Sequence, residues 1–273
     1  MTRQKFGPEE IFGYALNDYA QGLLFDTIKY VLSGSDDKQC KKASQLKTTL
    51  PGVLMRTITP LQIMTFLVML AFILIFGLIE GYMLVGWLAL GEFRSIALIL
   101  AIVVCIYLSA FAVYRIFLRC FPLKEGEILA GSREEFAAQV NILFYLMLFN
   151  SLIRTHFLPL PLLRLVYLAL GARLGPNTYS AGVLLDPPLT TAGKNCVIGH
   201  DAVVFAHVIE GNRFALAPVH LGDNVTIGAT AVVMAGVTIG DGAIVSVGAV
   251  VLKGTQIGAG EVWGGMPARR LKP

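Results

Sequence analysis

The sequence predicts an α-helical membrane region followed by a parallel β-helix built from six-residue repeats. Apolar residues recur at every sixth position over the last part of the chain, and long uncharged apolar stretches occupy its first half. The mean hydropathy of +0.68 and the 15% of charged residues support a membrane region, because soluble domains carry about 25% charged residues.

The six-residue period runs from Leu221 to Trp263. Its members are Leu221, Ile227, Val233, Ile239, Val245, Val251, Ile257 and Trp263. Glycine follows five of these eight residues, and glycine suits corners, where a positive φ is often needed. The period fits neither a helix nor an alternating strand. It is typical of a chain wound into flat coils, with one inward aliphatic residue per short strand.

An interruption divides the repeat into two parts. Earlier positions at multiples of six are Leu174, Ser180, Ala192, Ile198 and Val204. The step from Val204 to Leu221 is 17 residues, which is not a multiple of six. We therefore expect residues from about 207 to 219 to leave the coil as a loop, and loops on a rigid scaffold often carry function.

Two stretches without charge, 63–79 and 95–114, are candidate transmembrane helices, because about 20 apolar residues cross a bilayer core. The first could extend to residue 90 as one tilted helix, or end near Glu80 and continue along the interface. Glu80 is either a functional carboxylate inside the membrane or an interfacial residue at the end of a span. The sequence leaves both alternatives open.

Positive charge predicts the orientation of these helices. Basic residues precede the first stretch (Lys38, Lys41, Lys42, Lys47, Arg56) and follow the second (Arg115, Arg119, Lys124), whereas only Arg94 lies between them. The positive-inside rule places both ends in the cytosol. We expect an inner (cytoplasmic) membrane protein whose β-helix faces the cytosol.

Four regions follow from these patterns. They are a cytosolic segment over 1–58 with a helix from Pro8 to about Leu32, two transmembrane helices over 59–120, interfacial helices over 121–170, and a β-helix over 171–273. The four cysteines lack metal-ligand spacing and are expected to be reduced thiols. The scattered basic residues do not indicate nucleic-acid binding.

Residues 171–273 resemble the left-handed β-helix acyltransferases of the hexapeptide-repeat superfamily. The repeats, the extruded loop and the closing segment Gly264–Leu271 (GGMPARRL) carry this resemblance. The junction 163–175 and the loop sequence His207-Val208-Ile209-Glu210 are also similar to the membrane-embedded C-terminal region of some nonribosomal-peptide-synthetase-like proteins. The adenylation domain and carrier serine motif of those proteins are absent from this sequence.

The resemblance implies an acyltransferase that moves an acyl group, expected to be acetyl, from acyl-CoA to a hydroxyl or amine. His207 is the expected general base, because a neutral imidazole can take a proton from the acceptor. Glu210 would orient His207 or bind a cationic acceptor. The resemblance further implies a homotrimer, no bound cofactor, and a small-molecule or lipid-like acceptor, with a carrier-protein thioester as an alternative donor.

The remaining site residues follow from the same resemblance. Coenzyme A would lie between adjacent β-helices, and the acceptor would contact the interrupting loop. The expected donor contacts are Gly228, Ala229, Gly248, Lys253, Arg269 and Arg270, and the expected acceptor contacts are Asn212, Arg213 and His220. His200 is interpreted as a solvated turn residue and His156 as an anchor at the headgroup level. The basic residues could equally be a solubilising tail.

Three alternative functions agree less well with the sequence. A non-catalytic scaffold, in which the β-helix joins three copies of a membrane protein, is the main alternative, although the retained loop with His207 favours an enzyme. A glycerolipid acyltransferase motif, His followed five residues later by Asp, is absent. A zinc site of the carbonic-anhydrase kind requires three convergent histidines, and His200, His207 and His220 lack that spacing.

Overall fold

The computed structural model describes residues 58–155, 157–210 and 213–272. The predicted helix from Pro8 to Leu32 and the rest of the N-terminal segment lie outside the described residues. The described chain begins with helix α1 (Pro60–Val85), a short 3-10 turn (Gly91–Phe93) and helix α2 (Arg94–Cys120). Thr59 caps α1 with Gln62, whose Oε1 accepts the Thr59 N–H at 2.6 Å.

Helices α1 and α2 pack antiparallel through two glycines. A Cβ added to Gly77 would lie 2.7 Å from Cα of Ile106, and one added to Gly81 would lie 2.6 Å from Cα of Ile102. Glycines four residues apart are a common contact between membrane helices, because they let two backbones approach closely. Helix α1 does not break near Glu80 but continues to Val85, and Ser109 Oγ donates to Glu80 Oε2 at 3.2 Å.

A second helical group follows. It comprises α3 (Arg133–Phe144), a π-helical turn (Tyr145–Phe149), α4 (Asn150–Arg154) and α5 (Leu160–Leu170). Phe144 packs edge-on against Phe66 of α1 at 5.4 Å between ring centroids, and Tyr114 of α2 donates to Asn141 at 2.7 Å. The helices expected at the membrane interface are thus packed against α1 and α2.

Three helical stretches of the described chain are long and apolar enough to cross a membrane. They are Pro60–Val85, Gly91–Cys120 and Arg133–Arg154, with mean hydropathies of 2.6, 2.9 and 1.6. The first two contain the predicted spans 63–79 and 95–114, whereas the third lies in the region predicted to be interfacial. The third differs from them in burial, since 56% of its most apolar window is covered by protein, against 28% and 17% for the others.

From Arg173 onward the chain forms a parallel β-helix with three sheets, as predicted. One sheet contains β16 (Gln256–Ile257), β13 (Thr238–Ile239), β10 (Val219–Leu221), β5 (Thr190–Ala192) and β2 (Arg173–Leu174). The second contains β17 (Val262–Gly264), β14 (Ile244–Val245), β11 (Thr226–Ile227), β6 (Val197–Ile198) and β3 (Tyr179–Ser180), with the antiparallel strand β18 (Arg269–Lys272) at its edge. The third contains β15 (Val250–Val251), β12 (Val232–Val233), β7 (Val203–Val204) and β4 (Val183–Leu184).

The residues of the six-residue period fill the interior of this β-helix. From Leu221 to Ile257 each is at most 4% exposed, and each is stacked on its equivalents in neighbouring coils, as Ile227 is on Ile198 and Val245. Fully burying one such side chain contributes about 1.5–3 kcal/mol. The period therefore specifies both the strand positions and the core.

The glycines have a different role from the one predicted. The glycines that follow the apolar positions do not have positive φ; instead, a Cβ on Gly228 would lie 2.4 Å from the backbone N of Val247 in the next coil. Positive φ occurs two residues later in each repeat, for example at Gly236 (φ 73°). Asn224 occupies the equivalent corner with φ 55°, since asparagine tolerates this conformation better than most residues.

The predicted loop is an ordered β-hairpin. Strands β8 (His207–Glu210) and β9 (Arg213–Leu216) pair antiparallel, and β9 also pairs with β1 (Gly126–Glu127), which lies between α2 and α3. Ile128 N–H adds a bond to the carbonyl of Phe214 at 2.8 Å. The interruption of the repeat therefore forms a small sheet that connects the coils to the segment following α2.

Candidate active site

His207 lies at the base of the hairpin, and its ring faces a buried carboxylate. Nδ1 of His207 is 2.6 Å from Oδ2 of Asp186, and the two side chains are 20% and 4% exposed. The same carboxylate oxygen accepts the backbone N–H of Ala206 at 2.8 Å. The pair is thus held inside the protein, while one side of the imidazole remains open to solvent.

Asp186 is fixed by the backbone on both sides. It follows β4, where the N–H of Leu185 donates to the carbonyl of Val204 at 2.9 Å. It precedes a 3-10 turn over Pro187–Leu189, after which Thr190 Oγ1 donates to the Asp186 carbonyl at 3.0 Å. Because β4 pairs in register with β7, the carboxylate is placed beside the residues that lead into the hairpin.

The charges of the pair stabilise each other. Burial raises the pKa of Asp186, but the neighbouring His207 ring and the backbone N–H groups of Ala206 and His207 outweigh burial and hold this pKa below its ordinary value. Burial lowers the pKa of His207, but the Asp186 carboxylate reverses that effect and raises it above its ordinary value. His207 is therefore a stronger base than an isolated histidine.

The geometry selects one tautomer of the neutral ring. Nδ1 faces the carboxylate, so it carries the proton, and Nε2 is left as the acceptor. Within the described residues no group bonds Nε2. Phe205 flanks the ring at 5.5 Å between centroids. This arrangement can take a proton at Nε2 and stabilise the resulting imidazolium.

Glu210 does not contact His207 in the structure, although orienting His207 was one of the two roles expected for it. The two residues are three apart on strand β8, and side chains at that spacing point to opposite faces of a strand. Glu210 instead pairs with Lys253, which follows β15 two coils further along the β-helix. The hydrogen bond from Lys253 lowers the pKa of Glu210. In the structure, Asp186 is the residue that orients the His207 ring.

The structure separates the expected acceptor contacts. Arg213 of the hairpin binds Glu127 of β1 at 2.7 Å. His220 is exposed on β10, between Thr191 and Thr238 of the neighbouring coils. Asn212 and His156 lie outside the described residues. His200 is exposed and is 3.2 Å from Asp201, in agreement with its interpretation as a turn residue.

The expected donor contacts lie along the later coils. Gly228 and Ala229 form one corner, Gly248 (φ 66°) forms another, and both are partly accessible. Lys253 is engaged by Glu210, and Arg270 binds Glu261 at 3.2 Å. Arg269 is exposed on β18. No group of three His, Cys, Asp or Glu residues able to hold a metal occurs in the described part of the chain.

Asp186 was missed by sequence reasoning, although a signal was present. The positions Leu174, Ser180 and Ala192 leave one step of the six-residue period at residue 186, and that position holds an aspartate followed by two prolines. An acid at a position that normally holds a buried aliphatic residue indicates a special role. The structure shows the cause. Strand β4 ends at Leu184, two residues before the position that the six-residue period predicts, and the 3-10 turn Pro187–Leu189 supplies the extra residues before the next strand.

Comparison with known proteins supports the repeat fold. Residues 218–253 match the family described as bacterial transferase hexapeptide (six repeats). No curated protein matches the chain.

Several solved structures are similar to part of the chain. One is a hexapeptide-repeat acetyltransferase from Vibrio cholerae O1 biovar eltor complexed with acetyl coenzyme A, with 27% identity and a TM-score of 0.35 over 37% of this chain and 60% of that one. A galactoside acetyltransferase in complex with coenzyme A has 17% identity and a TM-score of 0.42 over 58% of this chain and 90% of that one. Soybean serine acetyltransferase complexed with serine has 20% identity and a TM-score of 0.35 over 61% and 56%.

These structural similarities are distant. The chain matches less than two thirds of the length of the Vibrio enzyme. With TM-scores from 0.35 to 0.42, they do not determine the activity of this chain.

Proposed function

We propose that this protein is a membrane-anchored acyltransferase that uses His207 as its general base. The observation that carries the proposal is the buried His207–Asp186 pair, at 2.6 Å, on a hairpin that leaves a hexapeptide-repeat β-helix. The hexapeptide transferase match over 218–253 supports it. A purely structural repeat has no need of a histidine with a raised pKa and an open Nε2.

The reaction requires one proton acceptor and no covalent intermediate on the protein. Nε2 of His207 takes the proton of the acceptor hydroxyl or amine as the acceptor oxygen or nitrogen attacks the thioester carbonyl. The tetrahedral intermediate then expels the thiolate of the donor, which receives the proton from the imidazolium. Asp186 keeps the ring in the correct tautomer and stabilises its positive charge in both steps. Backbone N–H groups at a coil corner would stabilise the oxyanion.

The donor in this proposal is an acyl-CoA, with acetyl as the expected group. Gly228, Ala229 and Gly248 would approach it with their backbones, while Arg269 and Arg270 would pair with its phosphates. Lys253 would release its ion pair with Glu210 and pair with a phosphate group of the donor instead. A carrier-protein thioester, suggested by the junction 163–175, is the alternative donor.

We further propose that three copies assemble, so that the hairpin of one copy faces the late coils of the next. A β-helix has flat sides that pack on one another, and Arg269 and Arg270 then lie beside a neighbouring copy's site. The mass of the protein in detergent tests this assembly. A monomer with full activity would contradict the shared site.

The membrane part of the proposal concerns α1 and α2. Their length and apolar composition support two spans, and the basic residues that flank them favour cytosolic ends in the inner membrane. Residues 121–170 would pack at the cytosolic interface. The β-helix and His207 would then face the cytosol beside the membrane. An acceptor that is lipid-like, or a small molecule held at the membrane, fits this location best.

Replacing His207 tests the proposed function directly. His207→Ala should lower the rate of acyl transfer from acetyl-CoA to a hydroxyl or amine acceptor by about 10²–10⁴-fold, the usual loss for a general base. Thioester consumption is followed with spontaneous hydrolysis subtracted. His200→Ala and His220→Ala are the controls and should lose much less activity than His207→Ala. If all three variants are as active as the wild type, His207 is not the general base. If the wild type itself consumes thioester no faster than spontaneous hydrolysis, the scaffold alternative is favoured.

A further inference from the structure

A cleft of about 360 Å³ lies where the end of α2 meets the first coils of the β-helix. Three arginines line it: Arg115 and Arg119 from α2, and Arg173 from β2. The rest of its wall is mainly apolar and includes Leu118, Leu168 and Leu189. None of these residues belongs to the His207 site.

The arginines converge from two separate elements. Arg115 and Arg119 are four residues apart and so lie on one face of α2. A Cβ added to Gly171 would lie 2.9 Å from Nη1 of Arg115 and 3.6 Å from Cα of Pro188, so the guanidinium of Arg115 lies over the junction between α5 and the coils. Arg173 is two residues beyond Gly171 and borders the same cleft.

The positive charge of the cleft is not balanced by the described protein. No aspartate or glutamate lines the cleft, and in the described part of the chain none of the three guanidinium groups has a hydrogen-bond or ion-pair partner. All three arginines are exposed, and like charges that line one cleft repel each other. A bound anion would remove this repulsion, and arginine binds phosphate oxygens with two parallel hydrogen bonds.

The position of the cleft indicates the source of the anion. Arg115 and Arg119 occupy the last two turns of α2, a helix long and apolar enough to cross a membrane. In the proposed two-span arrangement, on which this inference rests, that end of α2 lies at the level of the lipid phosphates. The leucines of the cleft would then provide a surface for the adjoining glycerol and acyl atoms.

We propose that this cleft binds the phosphate of an anionic glycerophospholipid, with Arg115, Arg119 and Arg173 as its ligands. The site goes beyond the proposed acyl transfer and does not depend on His207. It would fix the β-helix against the membrane surface through a lipid held between α2 and the first coil.

Titration of a short-chain lipid tests this site. The full chain is purified in dodecyl maltoside, freed of lipid, and titrated with dioctanoyl-phosphatidylglycerol in a calorimeter. We expect one lipid per chain, and about tenfold or greater weakening in Arg115→Gln and in Arg173→Gln, because each loses a charge-assisted contact. Arg154→Gln is the matched control, since Arg154 is an exposed arginine of the helical region that does not line the cleft.

Two further ligands separate lipid phosphate from other sources of affinity. Dioctanoylglycerol, which has the same tails and no phosphate, should bind at least tenfold more weakly, and inorganic phosphate should also bind much more weakly than the lipid. Equal binding of dioctanoylglycerol, equal binding of inorganic phosphate, or wild-type affinity in both glutamine variants would overturn the proposal. Arg115→Lys, which keeps the charge and loses the planar fork, should bind with intermediate affinity. His207→Ala should bind like the wild type, so the two proposals fail or succeed separately.

Discussion

Substituting Asp186 by asparagine is the sharpest probe of the proposed chemistry. The asparagine side chain has the same shape, and its carbonyl oxygen can still accept the Ala206 N–H that Asp186 accepts at 2.8 Å. The negative charge beside Nδ1 of His207 is removed, and an amide NH2 takes the place of the second carboxylate oxygen. We therefore expect folding to be nearly unchanged, whereas Asp186→Ala would leave a buried N–H unpaired, at a cost of about 1–3 kcal/mol.

The expected loss of rate follows from the buried charge pair. Asp186 and His207 are 4% and 20% exposed, so an effective dielectric constant of about 20 and a separation of about 4 Å between charge centres give about 4 kcal/mol of attraction once the imidazolium forms. Part of this attraction is present before the proton is transferred. We expect Asp186→Asn to lower the rate by about 10²–10³-fold.

The pH dependence gives an independent check. Activity requires neutral His207, so it rises as the pH increases through the pKa of that ring. The carboxylate holds this pKa above its ordinary value, while burial acts in the opposite direction. Without the charge only the effect of burial remains, and the rising limb of the pH–rate profile should move to lower pH in Asp186→Asn.

The assay is acetyl-CoA consumption at several pH values for wild type, Asp186→Asn, His207→Ala and the double variant. Residues that act as a unit are not additive, so the double variant should be no slower than His207→Ala alone. An Asp186→Asn enzyme with a wild-type rate and an unshifted profile would refute the role of Asp186. Multiplicative losses in the double variant would show that the two residues act separately.

Three other substitutions or labels test the fold and its placement. Gly77→Leu should lower the thermal stability of the protein in detergent, because even a Cβ would lie 2.7 Å from Cα of Ile106; an unchanged unfolding temperature would contradict the close packing of α1 and α2. Gly236→Val should destabilise the β-helix by about 1–2 kcal/mol or more, since φ is 73° there. Gly236→Asn should be tolerated. Equal stabilities of the valine and asparagine variants would show that the corner is not strained. Two variants, each with a single cysteine at residue 40 or at residue 92 and no other cysteine, should react with an impermeant maleimide from opposite sides of the membrane. Labelling of both variants from the same side would refute the orientation.

Much of the β-helix was predictable because its core repeats. Each inward residue from Leu221 to Ile257 occupies the same environment, so the six-residue spacing specifies strand, burial and neighbour together. The 17-residue break predicted where the coil would be interrupted. Its content was less predictable, because β9 pairs with β1 and Leu216 lies opposite Gly126, which is 90 residues earlier in the chain. No local pattern in Gly126–Glu127 indicates that contact.

The candidate site shows where local reasoning fails. His207 was predicted from its position at the break, but its partner was sought nearby in the sequence, at Glu210. In a stacked coil the neighbours of a residue come from the preceding turn, about 20 residues away, which is where Asp186 lies. The corner glycines were misassigned for a related reason, because the close approach of Gly228 to Val247 is a contact between coils.

The hairpin also limits the distance between His207 and the end of α2. His207 pairs with Leu216, and Leu216 pairs with Gly126, so His207 and Gly126 are two strand spacings apart, or about 10 Å. Gly126 is joined to the end of α2 at Cys120 by a chain that, fully extended, spans about 20 Å. The Cα of His207 is therefore held within about 30 Å of the end of an apolar helix. An acceptor of the proposed kind, anchored in the bilayer, would need a headgroup of about this length for its nucleophile to reach His207, so the connectivity of three short strands would limit which headgroups react.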